Sequence, residues 1–242
     1  MPAPPIPEPL SDAVLDDEVI MECLGAQNIE RDIVDELDIS FRRIKCIENL
    51  VCFDKLLVLR LSNNRISVIE NIAHLKSIQI LDLSFNNVLS ADTMELKSLS
   101  SLCELNMFSN KLSDLGVLPE LSSLVVLNVG SNDIAELEKF LPLRKLGRLQ
   151  ALTAKDNPCS KDGKADEYNS FILSYLGKCL RYFDYRVVDD ENVQACREQF
   201  QNELESLEAT ELAQAKEAKR LQSKEEAHNR LRKIYMLEAA TL

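Results

Sequence analysis

Few residues in this sequence have the types and the spacing that catalysis requires. Its two histidines, His74 and His228, lack a cysteine, serine or carboxylate at the spacing of a nucleophile and its base. The chain also lacks the glycine-rich loops that hold phosphates and the short motifs that bind zinc or calcium. The adjacent acids Asp189 and Asp190 fit the start of a helix better than a catalytic pair. The sequence therefore predicts no enzymatic activity, no cofactor and no bound metal.

The seven cysteines do not form a recognisable framework either. Their number is odd, and no two have the C-x-x-C spacing that is typical of zinc sites and redox centres. We therefore expect small buried thiols in a reducing compartment rather than disulfides or metal ligands.

The net charge of −12 is concentrated at the amino-terminal end, where residues 1–36 hold ten acids and one base. An acidic chain without a lysine and arginine stripe has no electrostatic attraction to phosphate backbones, which excludes nucleic acid as an expected partner. Neither a secretion signal nor an apolar run of about 18 residues is present, so no membrane contact is expected. These features predict a protein of the cytoplasm or the cytoskeleton.

A repeat of about 22 residues extends over most of the chain. Its pattern is L-x-x-L-x-L-x-x-N-x-I/L, as in Leu-Arg-Leu-Ser-Asn-Asn-Arg-Ile (59–66) and Leu-Asp-Leu-Ser-Phe-Asn-Asn-Val (81–88). Because side chains alternate along a strand, the leucines of each L-x-L point to one side, and parallel strands stack them into one core. The pattern predicts an α/β fold, a leucine-rich-repeat solenoid of the 22-residue class with a cap at each end and a long carboxy-terminal α-helix.

One asparagine per repeat is expected to bond backbone groups that the turn after the strand leaves unpaired. Five units carry it, and the first unit has Arg42 instead. These asparagines are Asn64, Asn86, Asn110, Asn132 and Asn157. For the caps, the sequence predicts a helix over 12–24 that starts at Ser11 and ends at Gly25, and a helix with a last strand over 168–185.

The predicted organisation has three parts. Residues 1–31 form a proline-rich leader and capping helix, residues 32–190 the repeat domain with its carboxy-terminal cap, and residues 191–242 a long helix. This tail contains no proline or glycine, and a single helix of that length would reach roughly 80 Å. Its apolar residues do not keep a heptad, so a coiled coil and a solvated helix both remain open. A partner is expected to contact the tail at Phe200, Leu204, Leu207, Leu231, Ile234 and Leu237.

A second candidate surface is the concave face of the predicted sheet. Residues beside the core leucines project there, and several of them are aliphatic or aromatic although the face should be solvated. The expected partner-binding residues are Val58, Arg60, Ile80, Asp82, Phe85, Glu104, Asn106, Phe108, Val126 and Asn128. In the alternative interpretation, Phe41 and Phe85 fold against the side of the repeats and leave only scattered aliphatic residues.

Two stretches outside the repeats carry a resemblance to a known family. Tyr-Phe-Asp-Tyr-Arg-Val-Val-Asp-Asp (182–190) and Val-Leu-Asp-Asp-Glu-Val-Ile-Met-Glu-Cys-Leu-Gly (14–25) resemble the dynein regulatory complex subunit 3 family, the leucine-rich-repeat subunits of the nexin link. The resemblance implies an axonemal structural role in motile cilia and flagella, with coiled-coil proteins as partners and an indirect association with microtubules. The helical part of this chain is shorter than in that family.

Two other roles remain open for a chain of this pattern. One is a cytosolic regulator that binds a phosphatase or another enzyme through the concave face. The other is a leucine-rich-repeat light chain of axonemal dynein. Motile-cilium proteins should persist in detergent-extracted axonemes, whereas a soluble regulator should not.

Overall fold

The structure is a computed structural model that describes residues 14–25, 30–161 and 163–239. The chain divides into two compact units, Met1–Cys196 and Arg197–Leu242, where the sequence placed a boundary at residues 190 and 191. None of the described helices is both long and apolar enough to cross a membrane.

The first unit is built on one open sheet of eight strands that follow each other in chain order. Strands β1 to β7 are parallel, and β8 pairs antiparallel with β7 at the end of the sheet. The strands are β1 Glu36–Asp38, β2 Val58–Arg60, β3 Ile80–Asp82, β4 Glu104–Asn106, β5 Val126–Asn128, β6 Ala151–Thr153, β7 Tyr182–Phe183 and β8 Arg186–Val187.

The core confirms the predicted solenoid, because one residue of each parallel strand is buried and in register with the next. These residues are Leu37, Leu59, Leu81, Leu105, Leu127, Leu152 and Phe183. Among the described residues, the connections between strands contain helix α2 (Met94–Lys97) and three 3₁₀ helices, as expected for repeats of about 22 residues, and a fourth 3₁₀ helix precedes β1. The 3₁₀ helices are Arg31–Ile33, Leu118–Glu120, Leu137–Lys145 and Pro158–Ser160.

The asparagines bond the turns as predicted. The Asn64 side-chain oxygen accepts hydrogen bonds from the backbone N–H groups of Arg42 and Ile44, at 3.0 and 3.1 Å. Its amide nitrogen donates to the carbonyls of Ile39 and Leu61, both at 2.9 Å. Asn86, Asn110, Asn132 and Asn157 repeat this arrangement. Each asparagine therefore connects its own repeat to the preceding one.

The amino-terminal cap is shorter than predicted. Helix α1 spans Asp17–Leu24, and the Asp16 carboxylate caps it by accepting a hydrogen bond from the Val19 N–H at 2.9 Å. The predicted start at Ser11 lies outside the described residues, and residues 14–16 are not helical. Gly25 ends the helix with a left-handed φ of 67°, as predicted.

At the other end, helix α3 (Ala165–Leu176) and strand β7 close the core with buried aromatic rings, as predicted. The last strand, predicted to lie within 168–185, ends at Phe183. Asp184 and Tyr185 both have positive φ angles, 45° and 65°, which is typical of the two-residue turn of a hairpin. The chain therefore turns back into β8, and the Asp184 side chain points into the end of the repeat array, where it bonds the backbone of Ala154.

The predicted single tail helix is interrupted. Helix α4 spans Asp190–Gln199 and helix α5 spans Gln201–Ala239, with a tight turn at Phe200, whose N–H donates to the carbonyl of Arg197. In the first unit, Val193 of α4 is buried so close to Gly177 that a Cβ there would lie 2.8 Å from it. This packing fixes the direction of α4. The helix propensities of the residues do not reveal it.

In the second unit, the bend brings Arg197 within 3.1 Å of the Glu208 carboxylate. These two residues would lie about 16 Å apart along a straight helix, so the ion pair depends on the bend.

Candidate functional site

The exposed face of the sheet carries two rows of side chains, one on each side of the buried leucines. We call them the first row and the second row. The first row consists of Glu36, Val58, Ile80, Glu104, Val126, Ala151 and Tyr182. The second row consists of Asp38, Arg60, Asp82, Asn106, Asn128 and Thr153. Each row follows the strand register, so its members are direct neighbours across the sheet.

The first row brings together the predicted aliphatic residues. Val58 pairs in register with Ile80, and both are half-buried. Glu104 follows between Ile80 and Val126, and it is also half-buried. No hydrogen bond or ion pair joins the Glu104 carboxylate to another side chain or backbone group among the described residues. The row is therefore an aliphatic surface with one unpaired charge near its middle.

The second row has a structural role that the sequence analysis missed. The side-chain oxygens of Asp82, Asn106 and Asn128 accept hydrogen bonds from the backbone N–H two residues later, at 2.8, 3.2 and 3.1 Å. Asp38 does the same with Ser40 at 2.9 Å. These short bonds start the turn that follows each strand. An aspartate or asparagine recurs at this position of the repeat, and that recurrence could have predicted the hydrogen bonds.

Arg60 departs from this turn pattern. Its guanidinium forms a salt bridge with Glu36, which stands on the neighbouring strand in the first row. The hydrogen bond to Glu36 raises the pKa of Arg60, so the guanidinium remains charged. Glu36 and Arg60 thus neutralise each other at the amino-terminal end of the face, which leaves Asp82 and Glu104 as the uncompensated charges further along.

Aromatic residues border the face beyond the second row. Phe85 and Phe108 meet edge to face with ring centroids 5.4 Å apart, and Phe108 covers Gly130 so closely that a Cβ there would lie 3.1 Å from the ring. Phe41 and Phe85 remain 75% and 49% exposed. Neither ring folds into the core. The sheet face therefore has an apolar border in addition to the aliphatic residues of the first row.

The predicted tail residues differ in their access to solvent. Phe200 and Leu207 are half-buried, whereas Leu204 is only 3% exposed. That these residues contact a partner stays a prediction. The side chains of Leu231, Ile234 and Leu237 lie outside the described part of the structure.

The cysteines are free thiols, but their predicted burial holds only in part. Cys159 and Cys196 are buried, and burial raises the pKa of Cys159 to about 11. Cys46, Cys52 and Cys179 are exposed, because they lie in connections and at helix ends rather than under the sheet. In the described part of the chain, no three histidine, cysteine or acidic side chains converge in a way that could hold a metal ion.

A cavity of about 440 Å³ lies at the carboxy-terminal cap, beside the β7–β8 hairpin. Several of its polar groups are engaged by contacts within the cap. The Tyr168 hydroxyl donates to Asp184 at 2.8 Å, and the Lys155 ammonium lies 4.9 Å from the centroid of the Tyr185 ring. Burial, followed by the nearby Asp184 charge, raises the pKa of Tyr168 well above its usual value. These contacts stabilise the cap.

Two solved structures are similar to this chain. The structure of the SNF/U2A′ complex from Drosophila melanogaster is 24% identical, with a TM-score of 0.49, and the match covers 78% of this chain and 92% of that one. The internalin InlF from Listeria monocytogenes is 20% identical, with a TM-score of 0.52, and the match covers 73% of this chain and 57% of that one. The second likeness shows the fold alone. No curated protein matches the sequence.

The family comparison is more direct. A family model described as leucine-rich repeat matches residues 66–215, which is more than half of the chain. The match begins at Ile66, after the first predicted asparagine, and continues through the carboxy-terminal cap into α5. It therefore includes most of the repeats as well as the segment that closes them. This chain belongs to the leucine-rich-repeat family.

Proposed function

We propose that the chain is a non-enzymatic interaction subunit of the nexin–dynein regulatory complex, located on the axoneme of motile cilia and flagella. There it would help to link doublet microtubules and to regulate dynein-driven motility. Leucine-rich-repeat proteins generally act as scaffolds that bind other proteins, and the chain belongs to that family. The observation that carries the binding role is the row of half-exposed aliphatic side chains on the sheet face, at Val58, Ile80 and Val126.

The axonemal assignment is supported by the resemblance of two segments outside the repeats. Residues 14–25 include α1 and its capping residues Asp16 and Gly25, and residues 182–190 include the hairpin that ends the sheet. Both segments close the solenoid and differ from the repeat consensus. A likeness in such segments is therefore more specific than a likeness in the repeats.

Extraction of axonemes tests the cellular role. The tagged chain is expressed in motile-ciliated cells, and axonemes are treated with detergent and then with high salt. The chain should remain with nexin-link subunits through detergent extraction. Release with an enzyme such as a phosphatase would favour a cytosolic regulator, and co-extraction with dynein motor subunits would favour a dynein light chain. Either result would overturn the proposal while leaving the scaffold intact.

A double variant on the sheet face tests the binding surface. Ile80→Asp combined with Val126→Asp should remove partner binding with little loss of stability, because these side chains project from the sheet and are not part of the buried core. The expected result is loss of the chain from detergent-extracted axonemes with an unchanged thermal unfolding midpoint. Val68→Asp combined with Met94→Asp, at exposed positions in the connections, is the matched control. Equal retention of both variants would contradict a binding role for the sheet face.

A further inference from the structure

We infer that the partner on the sheet face is a positively charged amphipathic α-helix, which places a lysine or arginine opposite Glu104 and apolar residues over Ile80 and Val126. The inference rests on the proposed binding through this face. It adds the chemistry of the occupant, the spacing of its contact residues and the residue of this chain that selects it.

The charge of Glu104 requires a cation on the partner. Glu104 stands in register between Ile80 and Val126, so a partner that covers the two aliphatic side chains also covers the carboxylate. A carboxylate that loses its water without gaining a partner is strongly unfavourable. Among the described residues, no group of this chain is bonded to it. The compensating charge must therefore come from the molecule that binds.

The neighbouring charges act in the same direction. Asp82 stands on the adjacent strand in the second row, roughly 8 Å from Glu104 by the spacing of strands and of residues along them. One of its oxygens is bonded to the backbone of Ser84, and the other is not needed for that turn. Arg60, the base in the second row, is engaged by Glu36. The middle of the face therefore presents negative potential to an approaching segment.

The spacing of the strands indicates a helix. Ile80 and Val126 are two strands apart, which separates them by roughly 10 Å. An α-helix laid across the strands advances that distance in about seven residues. Apolar residues at positions i and i+7 would then cover Ile80 and Val126, and a base at i+3 or i+4 would face Glu104 from the same side of the helix. The partner is therefore recognisable from its own sequence.

Photo-cross-linking from position 80 tests this inference on the full chain in motile-ciliated cells. An aliphatic residue that carries a diazirine replaces Ile80, and the cross-linked segment is identified by mass spectrometry. We expect a segment of another protein with apolar residues seven apart and a lysine or arginine between them. Glu104→Gln should lower the cross-linking yield about fivefold, the effect of losing one partly desolvated ion pair. Glu138→Gln, an exposed acid in the 3₁₀ helix Leu137–Lys145, should not lower it.

Other outcomes separate this inference from the proposed function. A neutral or acidic segment, or a yield unchanged by Glu104→Gln, overturns the inference even if the chain is axonemal. A cross-link to this chain's own basic stretch at residues 230–233 overturns it as well, because the occupant would then be internal. The absence of a cross-link from position 80 overturns both the inference and the binding role of the face. A basic helix from a soluble protein would support the inference and overturn only the axonemal role.

Discussion

At the scale of single residues, the turn after each strand holds one residue in left-handed backbone. These residues have φ angles between 52 and 63° in six successive repeats. They are Phe41, Asn63, Phe85, Ser109, Ser131 and Asp156. Left-handed backbone costs most L-residues about 1–2 kcal/mol, and asparagine tolerates it better than a bulky side chain does. The two phenylalanines are therefore the strained members of the series. Phe85 gains a ring contact with Phe108, whereas Phe41 is three-quarters exposed.

A reciprocal exchange tests this strain. Phe41→Asn should raise the free energy of unfolding by about 0.5–1 kcal/mol, because the exposed ring contributes little packing and asparagine suits the backbone. Asn63→Phe, the equivalent position one repeat later, should lower it by a similar amount. Urea unfolding followed by circular dichroism measures both. Shifts of the same sign in the two variants would show that the backbone conformation does not decide the preference.

At the scale of elements, the interior of the array was predictable, whereas its ends were predictable only in part. The 22-residue period places each buried leucine and each asparagine, because identical neighbours impose identical bonding. At the ends this constraint disappears. The start of α1 depends on a local hydrogen bond between Asp16 and Val19. The bend at Phe200 has no proline or glycine from which it could be predicted. On the sheet face, the period predicts which side chains project, but it does not predict which charges pair, as Arg60 does with Glu36 and Glu104 does not.

The carboxy-terminal cap shows how one side chain replaces the missing next repeat. Asp184 accepts hydrogen bonds from the N–H groups of Ala154 and Lys155, at 2.8 and 3.1 Å, and one from the Tyr168 hydroxyl. In the interior, the N–H equivalent to that of Ala154 donates to a strand carbonyl of the next repeat, as the N–H of Leu83 does to Asn106, so the Asp184 carboxylate replaces a missing backbone acceptor. The hairpin is needed to turn it inward, which explains why β7 ends after two residues. The cap therefore stabilises the last turn and positions the end of the first row.

Tyr168→Phe should weaken this cap in a pH-dependent manner. At pH 7 the variant should lose about 1.5–2 kcal/mol, because a hydrogen bond to a charged acceptor is removed. The pKa of Tyr168 is raised in the folded chain, so above pH about 10 only the unfolded chain releases this proton. The stability that wild type gains from Tyr168 is thus complete below pH 10 and decreases above it. The difference between wild type and variant should shrink between pH 10 and 11.

Urea titrations of both chains at pH 7, 10 and 11 measure that difference. Tyr182→Phe, at an exposed position on the sheet face, controls for the loss of a hydroxyl as such. A difference that stays constant up to pH 11 would show that the Tyr168 proton is not linked to folding.

At the scale of the whole molecule, the asparagines turn separate repeats into one platform. Each of them bonds its own turn and the turn before it, so disturbance of one repeat is transmitted first to its neighbours. The hydrophobic core is continuous from Leu15 to Cys196, which adds nearest-neighbour packing to the same coupling. A platform of this kind keeps the two rows of the sheet face in register over several strands. The proposed recognition of contact residues seven apart depends on that rigidity.

The position of a removed asparagine should decide which repeats open. Asn110→Ala leaves the Val88 N–H without its partner and removes one of two amide donors from each of the Leu83 and Met107 carbonyls, at a cost of about 1–3 kcal/mol. Amide hydrogen exchange should therefore accelerate in β3 and β4 and, through nearest-neighbour coupling, on both sides of them. Asn157→Ala should accelerate exchange mainly from β5 to the carboxy-terminal cap. Exchange measured by mass spectrometry distinguishes the two patterns. Uniform acceleration over β1 to β8 in both variants would instead mean that the solenoid opens as a single cooperative unit.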